Sequence, residues 1–99
     1  MQEYQAIVRV RHEGLDLAVT DEALDTVTGA LVGYGATAQL WPGVSEWTMT
    51  VRVPTLWDVA AHAGRAVRTA YFEAGHGVQV VRVDAWNVSE WEQAKGLSE

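Results

Sequence analysis

The apolar periodicity of this chain switches four times between two-residue and helical spacing. The order is strand, helix, strand, strand, helix, strand, within about ninety residues. No single residue constrains the fold as much. Each strand must bury one face and each helix one stripe, so two helices and four short strands must share one layer interface.

The first strand is expected from Tyr4 to His12, where Ala6, Val8 and Val10 alternate with Ile7, Arg9 and Arg11. A loop, Glu13-Gly14-Leu15-Asp16, follows. Thr20 is a good N-cap ahead of Asp21 and Glu22, whose carboxylates suit the positive end of a helix. Val19 and Leu24 stand at hydrophobic-staple spacing, and Leu24, Val27 and Leu31 mark the buried stripe. Gly33-Tyr34-Gly35 ends this helix, because glycine accepts the left-handed conformation of a C-cap.

A hairpin is expected next, from Ala36 to Trp41 and from Glu46 to Val53, with Pro42-Gly43 central to a type II turn. A four-residue loop, Pro42 to Ser45, would pair Leu40 with Trp47, Ala38 with Met49 and Ala36 with Val51. It would set all six on the core face. Pro54-Thr55 opens the second helix, with Thr55 and Asp58 at capping-box spacing. Its expected stripe is Leu56, Val59, Ala60, Ala63, Val67, Ala70, Tyr71 and Ala74, and Gly75 is its C-cap. The last strand, Val78 to Trp86, changes phase between Val80 and Val81, which predicts a bulge there. In the acidic tail, 89–99, Ser89, Glu92 and Gly96 predict a short helix.

These elements predict one α+β domain over residues 1–88, a ferredoxin-like βαββαβ sandwich followed by the tail. Its four-stranded antiparallel sheet has the order 4-1-3-2, with two helices on one face. Ninety-nine residues suffice for one domain with its own core, and 48% apolar with 20% charged residues is ordinary globular composition. There is no cysteine, which excludes disulfides and thiolate metal sites. The N-terminus lacks a signal-peptide pattern, and no stretch approaches the ~20 apolar residues of a membrane span, so a soluble, cytoplasmic protein is expected. Arginine outnumbers lysine six to one, and Ala, Val and Gly are abundant, a bias that suggests a GC-rich bacterial or phage genome.

With helices on one side of the sheet, the strand alternation assigns the other side. Arg9 and Arg11 come from the first strand, Thr37, Gln39 and Trp41 from the second, Thr48, Thr50 and Arg52 from the third, and Arg82 and Trp86 from the fourth. Four of seven cationic side chains thus gather on one surface of a chain whose net charge is -6. Arginine and tryptophan are enriched in protein interfaces. The partner-binding residues are therefore expected to be Arg9, Arg11, Gln39, Trp41, Arg52, Arg82, Trp86 and, from the tail, Trp91. The expected partner is another protein, including a second copy in a homodimer. A competing expectation lays the tail itself on the sheet, Glu90 and Glu92 meeting the arginines. Single-stranded nucleic acid is disfavoured by the negative charge and by the lack of outward aromatics on the central strands. Trp57, off the helix stripe, is expected with Trp86 as a second contact site.

No motif specifies a catalytic site, cofactor or metal. His12, His62 and His76 have no metal-pair spacing, and each is expected in a solvated position. Gly33-Tyr34-Gly35 follows a helix, the reverse of a phosphate loop, and Ser45 and Ser89 lack a nucleophile elbow. Asp84 stands two residues from Arg82, where an ion pair is expected. A non-catalytic regulator, adaptor or inhibitor is the reading these features favour. The alternative is a small-molecule enzyme or sensor with a pocket between sheet and helices, lined by Met49, Trp47 and Leu40 with His12 or Tyr34.

Overall fold

The computed structural model describes residues 2–12 and 21–88. The elements are β1 (Gln2–His12), α1 (Asp21–Leu31), β2 (Thr37–Trp41), β3 (Val44–Val53), α2 (Leu56–Glu73) and β4 (Val78–Asn87). The strands form one antiparallel sheet in the order β2-β3-β1-β4. Read from the opposite edge this is 4-1-3-2, with β1 and β3 central. The protein is therefore an α+β sandwich of a four-stranded sheet and two helices. The expected tail helix, Thr20 and Val19 lie outside the described residues.

Strand alternation decides which side is covered. Tyr4, Ala6, Val8 and Val10 of β1 and Trp47, Met49, Val51 and Val53 of β3 are all buried beneath the helices. From α2, Val59, Ala63, Val67, Ala70 and Tyr71 close the core, and Val27 and Leu31 enter it from α1. Burying each such valine or leucine contributes about 1.5–3 kcal/mol. The buried stripe of α2 differs from expectation at three positions: Leu56 and Ala60 are exposed, and Gly64 is buried instead.

Local chemistry fixes the ends. The Asp58 carboxylate accepts from both the Thr55 backbone N–H (3.1 Å) and its hydroxyl (2.7 Å). At the other end Gly75 takes φ 83, and the His76 and Gly75 N–H groups donate to the Tyr71 and Phe72 carbonyls. That is a Schellman motif, as the glycine predicts. α1 ends at Leu31, ahead of Gly33-Tyr34-Gly35 as expected, in a 3-10 turn over Val32–Tyr34 that Gly35 closes at φ 62. On β4 the register shifts so that Arg9 faces Arg82 while Val10 faces Val80. Val81 is the extra residue, and the predicted bulge is there.

The hairpin register differs from expectation by two residues. Trp41 faces Val44, so Pro42-Gly43 alone forms the loop, and Leu40 faces Ser45 rather than Trp47. Gly43 sits at φ 76, the conformation a type II turn demands of its third residue. A shift of two preserves which face each side chain occupies, so the tight turn prevails without inverting the strand. The longer loop would set Ala36, Ala38 and Leu40 against core residues of β3. All five residues of β2 are exposed, because the helices pack over β1, β3 and β4 and not over this edge.

Candidate interaction surface

The uncovered side of the sheet carries Glu3, Gln5, Ile7, Arg9 and Arg11 from β1, and Glu46, Thr48, Thr50 and Arg52 from β3. Thr37, Gln39 and Trp41 extend it at one edge, and Gln79, Arg82, Asp84 and Trp86 at the other. Arg9, Arg11, Gln39, Trp41, Arg52, Arg82 and Trp86 all stand on this one face, as the alternation predicts. Trp91 lies outside the described residues. Trp57, at 89% exposure, stands away from it in the first turn of α2.

The arginines are not a bare cationic patch. Arg9 Nε lies 2.9 Å from Glu46 Oε2, directly across the β1–β3 ladder. Arg52 Nη2 lies 3.2 Å from Glu3 Oε1 on the same ladder, and Arg82 Nε lies 3.0 Å from Asp84 Oδ2 along β4. Arg11 Nη2 donates to Gln79 Oε1 at 2.8 Å, and Thr50 Oγ1 donates to Gln5 Oε1 at 3.1 Å. The Arg9 guanidinium also lies over the Trp41 ring, 5.6 Å from its centroid. Arg9 and Arg82 face one another across β1 and β4, a like-charge pairing that by itself destabilises a sheet. Arg9 turns to Glu46 on β3, and Arg82 to Asp84 along its own strand. Sequence reasoning found the Arg82–Asp84 pair from its i+2 spacing. It missed Glu3 and Glu46, whose partners are distant in sequence and follow only from the β1–β3 register.

The covered side holds a polar cluster the sequence reading did not foresee. His12 is buried, not solvated, and so is Ser45. Ser45 Oγ lies 2.7 Å from the Tyr71 hydroxyl and 3.2 Å from His12 Nε2, and Trp47 Nε1 donates to the Tyr71 hydroxyl at 3.0 Å. The His12 ring packs edge-on to Tyr71. Indole N–H is a donor only, which fixes the direction of the Trp47–Tyr71 bond. Beyond it, the Tyr71 and Ser45 hydroxyls share one proton position and Ser45 meets His12 Nε2, with donor and acceptor set by the His12 tautomer. Burial, and then the nearby His76, hold the His12 pKa below its ordinary value. Histidine at the end of an alternating apolar strand, with serine at the matching end of its neighbour, was the only available signal.

Other sequence-marked groups stay apart. His62 contacts the Tyr34 hydroxyl at 3.4 Å on the outer side of α2, and His76 follows the helix end. Among the described residues no three His, Asp or Glu side chains converge as a metal site, and no helix is long and apolar enough to cross a membrane. The pocket expected at Met49, Trp47 and Leu40 does not form there: Met49 and Trp47 are fully buried in packed core, and Leu40 is exposed on β2. Comparison of the chain with known protein families, curated proteins and solved structures returns no match.

Proposed function

We propose that this protein is a non-catalytic protein–protein interaction module whose open sheet face docks on another protein, a second copy of itself first among them. The observation that carries this reading is the balance of charge on that face. Three of its four arginines meet three carboxylates in close pairs and the fourth, Arg11, meets Gln79, with Trp41 and Ile7 among them. The rest of the chain holds the whole excess of negative charge. A face of alternating guanidinium and carboxylate is complementary to its own two-fold copy, whereas an unpaired cationic face would repel one. Pairing also holds the arginines in place before contact, which lowers the entropy lost on docking.

The non-catalytic reading rests on Ser45. It has the one serine–histidine contact among the described residues, and complete burial puts its oxygen out of reach of a substrate. A ferredoxin-like assignment of the sandwich, a role as regulator, adaptor or inhibitor, and a bacterial cytoplasm (bacterial or phage-encoded) complete the proposal. They rest on element order and on composition.

The test is light-scattering mass across a concentration series for the wild type and Thr48→Glu. Thr48 points outward at the centre of the face, so the added carboxylate leaves the core untouched. The proposal expects a wild-type dimer and a variant whose dimer dissociates at least about tenfold more readily, since an unpaired interfacial charge costs more than 1.4 kcal/mol. A folded variant that dimerises as the wild type does, or a wild type monomeric at every concentration, overturns it.

A further inference from the structure

A second surface differs from the sheet face in one respect. Arg65 and Arg68 of α2 are exposed, and among the described residues neither has a carboxylate or hydrogen-bond partner. They line a groove of about 630 Å3 between α2 and β4, together with Gly64, Val78, Gln79 and Val80. Gln79 and Val80 point to opposite faces of the sheet, so a groove that both line reaches the edge of the strand itself. β4 is an edge strand, and its outer row of N–H and C=O groups faces away from β1. A second hollow continues past Arg68 to Phe72 and His76, and Phe72 is 78% exposed. Among the described residues, no carboxylate lines either.

We propose that this groove binds an extended acidic peptide, which adds beside Val78–Val80 as a fifth strand and sets two carboxylates on Arg65 and Arg68. Three observations favour that occupant. Two unpartnered guanidiniums on a chain of net charge -6 form a local site of the opposite sign. Residues three apart on a helix stand about 5–6 Å apart. Same-face residues of a strand stand about 6.6 Å apart, so a Glu-x-Glu segment matches the pair. The Val81 bulge limits pairing to the stretch that faces the groove and leaves the exposed Phe72 ring to anchor an apolar end.

The probe is a fluorescein-labelled Val-Glu-Val-Glu-Val peptide, read by anisotropy against the full chain. Replacing both glutamates by glutamine, or combining Arg65→Glu with Arg68→Glu, is expected to weaken binding at least about tenfold, two charge-assisted contacts being lost. Both arginines are exposed, so an unchanged melting curve separates this from unfolding. Two further peptides carry N-methyl groups on alternate residues. Strand addition uses alternate N–H groups, so one of the two must lose binding and the other keep it. Equal binding of both, or an undiminished affinity in the double variant, overturns the proposal. So does displacement by a short oligothymidylate more readily than by unlabelled peptide, which would assign the groove to phosphates. Thr48→Glu keeps its affinity for the peptide if the groove is the site; loss of binding in that variant places the peptide on the sheet face and overturns the proposal.

Discussion

The two faces of the sheet use similar polar chemistry under opposite conditions. On the covered face, Trp47, Tyr71, Ser45 and His12 Nε2 join in one hydrogen-bonded cluster away from water. On the open face, Arg9, Arg52 and Arg82 pair with carboxylates in contact with water, the Arg52 side chain retaining 74% exposure. A buried donor that loses its partner has no substitute, whereas an exposed guanidinium re-solvates at once. The covered cluster is thus committed to the fold, and the open pairs are free to serve a partner.

The sharpest way to break this contrast is Tyr71→Phe. It leaves Trp47 Nε1 and Ser45 Oγ without their shared hydroxyl, and a loss of about 2–4 kcal/mol in urea unfolding is expected. A loss below about 0.5 kcal/mol would mean that the cluster relaxes freely and that the two faces do not differ.

His12 supplies the next test. Its folded-state pKa lies below the ordinary 6.5, so the unfolded chain binds the proton first as pH falls. Stability should be insensitive to this residue at higher pH and decline as pH drops below about 6.5, flattening once the folded form also protonates. Denaturation midpoints across that window should slope less in His12→Gln than in wild type. Identical slopes would remove His12 from the explanation.

The smallest effect belongs to the open face. Arg52→Gln breaks the pair with Glu3, yet its stability loss should stay under about 0.5 kcal/mol, because both side chains reach water. A larger loss in the same urea assay would show that the open ladder helps to hold the sheet together.

Much of the open face was legible in the sequence, since alternation along one strand is a local property. Arg9 and Arg11 differ in parity from Val8 and Val10 whatever the strand packs against. Their partners were not legible: Glu46 reaches Arg9 only because β3 pairs with β1 in one register. The same limit hid the His12–Ser45–Tyr71 cluster, whose members are 26 and 33 residues apart. It also misjudged Leu40, whose apolar side chain suggested burial that an uncovered edge strand does not provide.

By itself, the sequence determined the element order, the caps at Asp58 and Gly75, the Val81 bulge and the inward or outward sense of each strand residue. Those features depend on neighbours within a few positions, where backbone sterics and side-chain periodicity act. Only the tertiary structure decided which charges neutralise one another, which histidine loses water and which arginines, among the described residues, stand unpaired. Those depend on distance and dielectric between residues that the chain keeps apart until it folds.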